Sequence, residues 1–197
     1  MDAMNDGSGI ETPVLLAAMP QVRDPFFHQS VVLLIHHDRE GSFGLIVNRP
    51  TELLIADILR GMKIDWAGSP RALAFFGGPV RPQLGTVLYS GVAGEVEGIS
   101  AAAEICGDLR TTQHIGDLAA LARRPPERLR LVLGYAGWGE EQLIQEILRN
   151  DWITAPVQEE LIFTREPEET WERTLRSVGV DPASLPSWTA IGGDTAN

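Results

Sequence analysis

The sequence has one cysteine, one lysine and no long apolar segment, and each shortage excludes a class of protein. The single cysteine, Cys106, cannot form an internal disulfide, which is typical of proteins from a reducing compartment. We expect its thiol to be buried and structural, because it lies in the apolar stretch 101–106 and reactive thiols need nearby positive charge.

Membrane and secretion signals are also missing. Apolar runs such as Val31 to Ile35 are far shorter than the ~20 residues of a membrane-spanning helix. Residues 1–12 are acidic and have neither the basic segment nor the apolar segment of a signal peptide. The sequence therefore predicts a cytoplasmic protein that does not contact a membrane.

Positive charge is scarce. The chain has 16 Lys and Arg residues against 27 Asp and Glu residues, which gives a net charge of −11. Such a chain repels polyanions unless its basic residues gather on one face. The local basic cluster consists of Arg123, Arg124, Arg128 and Arg130, with Glu127 among them. This balance argues against direct nucleic-acid binding.

The motifs of common catalytic sites are absent as well. There is no Gly-x-Ser-x-Gly elbow for a nucleophile and no Gly-Lys-Ser/Thr ending of a phosphate-binding loop. The loop 134–139 is rich in glycine, but Glu140 and Glu141 follow it and would repel a phosphate from the first helical turn. We therefore predict no catalytic residue and no cofactor. An enzyme whose acids and histidines meet only in the fold stays open.

Histidine spacing gives no metal signal. The four histidines are His28, His36, His37 and His114, and none forms a His-x-x-x-His pair. His36 and His37 are neighbours, so on a strand they would point to opposite faces. We predict no metal site.

The composition is that of a globular protein, with 44% hydrophobic and 22% charged residues. We find no internal repeat and no linker. We expect a disordered acidic N-terminus over residues 1–12, a single domain over residues 13–186 and a loose tail over residues 187–197.

Apolar and β-branched runs predict most of the strands. They fall at 14–18, 30–36, 42–48, 73–76, 86–89, 99–105, 109–112, 129–135, near Ile153 and at 161–163. The run 30–36 is apolar almost throughout, which is typical of a strand covered on both faces, and it forms a hairpin with the next strand. Pro50 is expected to end that second strand.

Helical periodicity predicts four helices. They cover 53–61, 112–122 with Thr112 as the N-cap, 140–149 with acids in its first turn, and a last helix that starts at Pro167 and buries Trp171 and Leu175. Because strands and helices alternate irregularly, we predict an α+β fold with a mixed β-sheet flanked by helices, with room for a small subdomain.

The strongest local feature is a pair of Gly- and Pro-rich strand ends. Asn48-Arg49-Pro50 follows one strand and Gly77-Gly78-Pro79 follows another, so the two segments are expected to meet at one edge of the sheet. An arginine beside exposed amides binds carboxylates or phosphates. We name Asn48, Arg49, Gly77, Gly78 and Trp138 as candidate ligand-binding residues. The favoured alternative is structural: Arg49 makes an internal hydrogen bond and the glycines permit the turns.

Five segments in order resemble the AlgH/YqgE-like family of bacterial proteins. They are MPQVRDPFFHQSVV (19–32), EGSFGLIVNRP (40–50), FFGGPV (75–80), GYAGWGEEQL (134–143) and the closing helix around Trp171. The resemblance covers about residues 13–182 and implies an α+β fold with a mixed sheet. It carries over motif positions but no catalytic residue. These positions include Asp24, Pro25, Asn48, Arg49, Gly77, Gly78, Pro79, Gly137 and Trp138.

Three functions follow in order of preference. The first is a non-enzymatic regulatory or adaptor protein that binds a protein or a small ligand, with any effect on transcription indirect. The second is an enzyme with a site near the Gly- and Pro-rich strand ends. The third, which the family's label as a transcriptional regulator suggests, is a direct DNA-binding regulator. The sequence sets neither the ligand nor the oligomeric state.

Overall fold

The computed structural model describes residues 9–91 and 96–186, and these two segments form ten strands and five α-helices. The strands are β1 (Val14–Ala18), β2 (Val31–His37), β3 (Ser42–Ile46), β4 (Pro50–Leu54), β5 (Leu73–Phe76), β6 (Val80–Ser90), β7 (Ala103–Cys106), β8 (Leu109–Thr112), β9 (Leu129–Trp138) and β10 (Trp152–Ala155). The helices are α1 (Ile55–Gly61), α2 (Ile115–Arg123), α3 (Gln142–Leu148), α4 (Glu159–Ile162) and α5 (Thr170–Ser177).

All ten strands belong to one curled sheet that forms a half-barrel. Eight strands lie in the order β10-β1-β2-β3-β9-β6-β8-β7, and the antiparallel pair of β4 and β5, which α1 connects, joins β9 through β5. The β5–β9 pair is parallel and the other pairs are antiparallel, so the sheet is mixed. The predicted α+β class is confirmed. Most of the expected loose ends, residues 1–8 and 187–197, lie outside the described residues, and the division into one domain stays a prediction.

β2 lies inside the sheet, as its apolar run predicts. Val31, Val32, Leu33 and Leu34 have no exposed surface, and β2 pairs with β1 on one side and β3 on the other. Because successive side chains point to opposite faces, this run needs cover on both sides. The predicted hairpin of β2 and β3 is confirmed.

Helices cover both faces of the sheet. On the concave face, α4 and α5 bury Leu161 and Trp171 against β1, β2 and β10. On the other face, α3 buries Leu143 in a cluster with Trp138 and Trp152. A third cluster contains residues of α1 and α2, among them Leu59 and Leu121.

The predicted strand at 161–163 is wrong, because this segment lies in α4 and at the end of that helix. Three apolar residues are too few to distinguish a strand from a buried helical turn. Glu159 and Glu160 occupy the first turn of α4, where carboxylates stabilise a helix through its dipole. Leu161 and Ile162 are buried in the concave core.

The boundary after β3 also differs from the prediction. Pro50 begins β4, and the helix starts at Ile55 rather than at Leu53. β4 pairs only with β5 in the described sheet, and such an edge strand tolerates proline because the missing N–H faces away from the ladder.

The helix predicted over 140–149 is shorter at its start. Glu141 has a φ of 54° in the left-handed region, and α3 begins at Gln142. Glu140 and Glu141 therefore precede the helix, and the expected acidic first turn is wrong. The reason is the tight turn after β9, which takes two more residues than the apolar pattern indicates.

Candidate functional site

A cleft of about 380 Å³ opens on the concave side of the half-barrel. It lies between β2 and β3 on one side and β6, β7 and β8 on the other. Its apolar lining residues are Ile35, Phe43, Ala101 and Ala103. Its polar lining residues are Thr86, Thr111, Thr112, Gln113 and His114. β3 and β7 are four places apart in the sheet order, so only the curl brings Phe43 and Ala103 to one cleft.

Two threonines place hydroxyl groups on the concave face. Thr111 lies two residues after the buried Leu109 on β8, and Thr86 lies two residues before the buried Leu88 on β6. Since side chains alternate along a strand, both threonines share the face of the concave core.

The Thr111 hydroxyl is not satisfied by the protein. Its Oγ1 is buried and has no hydrogen-bond partner among the described residues. An unpaired buried polar atom costs about 1–3 kcal/mol, and such atoms in native proteins usually meet water or a ligand. Because this oxygen has almost no accessible surface, a bound molecule can satisfy the Thr111 hydroxyl only after its side chain turns toward the cleft.

Gln113 stands at the same wall with a fixed amide. Its Nε2 donates a hydrogen bond of 2.9 Å to Oγ1 of Thr86. This bond holds the Gln113 side chain across the cleft wall and couples the end of β8 to β6.

Asp117 on α2 lies behind the cleft wall that is formed by Ala101 and Thr112, and it hydrogen-bonds to both residues. Its carboxylate has no exposed surface and accepts hydrogen bonds from Ser100 N (2.8 Å), Ala101 N (3.1 Å) and Thr112 Oγ1 (2.8 Å). Burial acts to raise the pKa of Asp117, but these hydrogen bonds and the nearby His114 outweigh it and hold the pKa below its ordinary value. The charged carboxylate thus ties the lining residues Ala101 and Thr112 to α2.

Thr112 is not the N-cap of α2, contrary to the prediction. His114 occupies that position and makes no capping bond with its side chain. Thr112 Oγ1 instead accepts a hydrogen bond from His114 N while it donates to Asp117. Thr112 lies two residues before the N-cap position, and its second partner, Asp117, determines where its hydroxyl points.

His114 is the one titratable side chain among the residues that line the cleft. Its side chain is 53% exposed, and its Nδ1 lies 3.6 Å from Oδ1 of Asp117. A histidine oriented by a buried carboxylate is the arrangement of a general base, so this pair is the feature of the cleft that comes nearest to catalytic machinery.

The predicted strand-end residues do meet in the fold. Phe76 N donates to the carbonyl oxygen of Arg49 (2.8 Å), and Ile46 N donates to that of Gly77 (2.9 Å). Asn48 is buried; its Oδ1 accepts from Val31 N (2.8 Å). Ligand binding by these residues stays a prediction.

Arg49 and Asn48 hold the turn that precedes β2. A guanidinium nitrogen of Arg49, Nη2, donates to the carbonyl oxygen of His28, and Nδ2 of Asn48 donates to that of Gln29 (3.0 Å). Nε of Arg49 is buried without a partner in the described part of the chain. These contacts match the structural alternative for Arg49.

Gly78 is required by close backbone packing. Its φ is 147°, and a Cβ atom there would lie 2.2 Å from the carbonyl carbon and oxygen of Tyr135. Gly77 is equally tight, because a Cβ atom there would lie 2.4 Å from the carbonyl oxygen of Gly134. Only glycine fits at these two positions, where the backbone passes directly against the backbone of β9.

Trp138 lies away from the other predicted site residues. It pairs with Ser42 at the first residue of β3, whereas Asn48 follows the far end of that strand. Its ring packs at 5.8 Å from that of Trp152, and the Nε1 atoms of both indoles donate to Oε2 of Glu146.

Sequence reasoning missed Glu146 and the whole cleft. Glu146 did have a signal in the sequence, because Gln142 precedes it by four residues and such pairs face each other on a helix. In the structure, Nε2 of Gln142 donates to Oε1 of Glu146 (2.9 Å). The cleft has no local signal, because Ile35 and Thr111 are distant in sequence and meet only through the curl of the sheet.

The described residues offer neither a metal-binding cluster nor a helix that spans a membrane. Residues 9–91 and 96–186 contain no group of three or more His, Cys, Asp or Glu side chains arranged to hold a metal ion. Every helix in these segments is too short or too polar to cross a lipid bilayer.

Comparisons with known proteins place the chain in a family. Residues 15–183 match the model of the AlgH-like family. A UPF0301 protein of Myxococcus xanthus is 40% identical over 88% of this chain and 93% of its own length. One of Methylococcus capsulatus is 38% identical over 90% of this chain and 94% of its own length.

Two solved structures are also similar. The solution structure of the AlgH protein from Pseudomonas aeruginosa is 31% identical, with a TM-score of 0.69, and the match covers 92% of this chain and 93% of that one. A crystal structure of a Corynebacterium diphtheriae protein, 22% identical over 83% of this chain and 85% of its own, has a TM-score of 0.70 and shows the same fold. The family match and the sequence relatives agree, and the chain belongs to the AlgH-like family.

Proposed function

We propose that this protein is a non-enzymatic regulatory protein that binds a small ligand in the cleft beside Thr111, and that any effect on transcription is indirect. The observation that carries the proposal is the cleft itself, with a buried hydroxyl that has no hydrogen-bond partner in residues 9–91 and 96–186. Its volume of about 380 Å³ falls within the ~300–1,000 Å³ of small-molecule sites. Its place at the open side of a half-barrel is a common one for such sites.

The polar groups of the cleft are suited to recognition rather than to bond-breaking. Thr86, Thr111, Thr112 and Gln113 are neutral donors and acceptors. The Asp117 carboxylate behind them already accepts four hydrogen bonds, two of them from Ser100, so it serves as a fixed acceptor that shapes the wall. A rigid wall with few polar groups favours binding, because little order has to be imposed when the ligand enters.

The charge distribution supports an indirect effect on transcription. Of the cluster that sequence analysis singled out, Arg128 pairs with Glu159 at 3.0 Å, and Arg130 is buried. Burial lowers the pKa of Arg130 to about 10, and its guanidinium donates to the carbonyl oxygens of Val47 and Thr164. One of the four arginines is therefore buried and a second is paired with an acid at the surface, which leaves a smaller basic surface than the sequence suggests.

The pair of His114 and Asp117 favours a second candidate, an enzyme in which His114 acts as a general base. The distance of 3.6 Å from Nδ1 to Oδ1 is long for a hydrogen bond but suits an orienting charge. Incubation of the identified ligand with wild-type protein and with His114→Gln separates the two functions. Conversion by the wild type that is lost in a variant that still binds supports the enzyme; binding without conversion supports the regulator.

A thermal-shift screen tests the proposed function. Purified protein is screened against metabolites and nucleotides, with Thr111→Val and Arg49→Gln alongside. A ligand that binds the native state raises the melting temperature by mass action. We expect a stabilising ligand whose effect falls in Thr111→Val and persists in Arg49→Gln.

The two variants also test the two possible locations. Loss of the effect in Arg49→Gln alone moves the site to the strand ends, where sequence analysis placed it. A library that stabilises nothing contradicts a small-ligand function and turns the search to a protein partner, for which the exposed Phe26 ring stacked on Phe76 is the first surface to mutate.

A further inference from the structure

We infer that the cleft selects an uncharged ligand with one flat apolar ring and one hydrogen-bonding end. The inference rests on the proposed function and names the chemical class that the same site accepts. It follows from three features of the cleft: its apolar side, its neutral polar side, and the absence of Lys, Arg, Asp and Glu from the lining residues, among which His114 is the one titratable side chain.

The apolar side is a slot between a fixed ring and small side chains. Phe43 comes from β3, and its ring packs at 4.9 Å from the ring of Tyr135, which holds it in place. Ala101 and Ala103 stand across the cleft and occupy little space. A flat ring fits between an aromatic wall and two methyl groups, and a volume near the lower end of the usual range limits it to a small molecule.

The polar side recognises a neutral group. Thr111 has a hydroxyl without a partner in the part of the chain that the structure describes, and this group can donate or accept. Gln113 lies beside it, held by its hydrogen bond to Thr86. A carboxamide or an alcohol on the ligand can match such groups without bringing a charge out of water.

The cleft is unfavourable for both anions and cations. An anion finds no Lys or Arg among the lining residues, and the buried Asp117 carboxylate behind Ala101 and Thr112 repels it. A cation is attracted by the same carboxylate but cannot pair with it directly, because Asp117 is buried and both of its oxygens already accept hydrogen bonds from the wall. Since transfer of an unpaired charge into an apolar cleft is costly, both lose affinity relative to the neutral molecule.

Three compounds with one ring and different charges test this selectivity. Phenylacetamide is neutral, phenylacetate is anionic and phenethylamine is cationic, and each is titrated into the protein at about pH 8, where imidazole groups are neutral. Amide chemical shifts in two-dimensional NMR spectra report both affinity and location. We expect phenylacetamide to bind at least about tenfold more tightly than either charged compound, with shifts at Thr111 and Gln113.

Thr111→Val is the matched variant, because valine keeps the shape of threonine and removes only the hydroxyl. We expect it to weaken phenylacetamide about 2- to 10-fold, the range of one neutral hydrogen bond, and to leave the charged compounds unchanged. Unchanged spectra elsewhere show that the variant is folded.

Phenylacetate or phenethylamine binding in the cleft as tightly as the amide overturns the inference and leaves the proposed function standing. Absence of cleft shifts with all three compounds also overturns the inference. The proposed function itself falls only if the wider screen is blank as well.

Discussion

Replacement of Asp117 by asparagine tests whether this buried carboxylate holds the cleft wall. In the wild type, Oδ1 accepts from Ser100 N while Oδ2 accepts from Ala101 N and Thr112 Oγ1. Asparagine keeps one acceptor oxygen and puts an NH2 group at the other position. In either orientation, a backbone N–H then faces another donor. The Thr112 hydroxyl can rotate to accept, but a backbone amide cannot.

The expected cost follows from this mispairing. One charge-assisted hydrogen bond is lost, worth about 1.5–3 kcal/mol, and one buried N–H is left unpaired. Relief of the carboxylate's desolvation offsets part of this, so we expect the free energy of unfolding to fall by about 2–4 kcal/mol. For a chain of this size that lowers the melting temperature by roughly 5–15 °C. Urea unfolding followed by circular dichroism at neutral pH measures it.

Asp57→Asn is the control, because Asp57 is the third residue of α1 as Asp117 is the third residue of α2. Asp57 is exposed and pairs with Arg60 at 2.6 Å on the surface, where such pairs contribute only about 0–1 kcal/mol. Equal and small losses in the two variants, below about 0.5 kcal/mol, would refute the claim that Asp117 anchors the wall.

The pH dependence of the two proteins gives an independent check. The folded-state pKa of Asp117 is lowered, so its stabilisation is fully present above the unfolded-state value of about 4 and is lost as the pH falls through the folded-state pKa. We expect the wild type to lose this contribution to its stability as the pH falls below about 4. In Asp117→Asn that part of the decline should be missing.

Three further variants test the account elsewhere in the fold. Gly78→Ala places a Cβ atom 2.2 Å from backbone atoms of Tyr135, so we expect the free energy of unfolding to fall by more than about 3 kcal/mol in urea titrations, or the variant not to fold. Gly61→Ala is the control, because its Cβ atom meets no atom within 4 Å and the change should be neutral or slightly stabilising. Glu146→Ala leaves two indole N–H groups unpaired and should cost about 1–2 kcal/mol with a changed near-ultraviolet circular dichroism spectrum; an unchanged spectrum would contradict its role. Asn48→Ala removes two hydrogen bonds from the buried turn before β2 and should cost about 2–3 kcal/mol by calorimetry, and a cost near zero would show that this turn is held by other contacts.

The sequence predicts the centre of the fold well, because the continuous apolar runs of β1 and β2 indicate strands that are buried on both faces. It also predicts that the strand ends near Arg49 and Gly77 meet, since Gly and Pro mark where each strand stops. It fails at Leu161, where a short apolar run has no period to distinguish helix from strand, and at Glu141, whose left-handed backbone delays α3. Local propensity does not encode either choice.

The candidate site was harder to predict than the fold. Sequence motifs led to Asn48, Arg49, Gly77, Gly78 and Trp138, whose described contacts are largely structural. The cleft depends on the curl of the sheet, which brings Phe43 next to residues more than fifty positions later in the chain. An unpaired hydroxyl such as that of Thr111 becomes visible only when its surroundings are known.

The most direct test of the small-ligand proposal is an NMR structure-mapping experiment with the best ligand from the screen. Intermolecular nuclear Overhauser effects are measured from the ligand to the methyl groups of Ala101, Ala103 and Thr111 and to the ring of Phe43. The account predicts contacts to these residues and none to Arg49 or Gly78. Contacts at the strand ends, or a ligand that binds without touching Phe43 and Thr111, would contradict it.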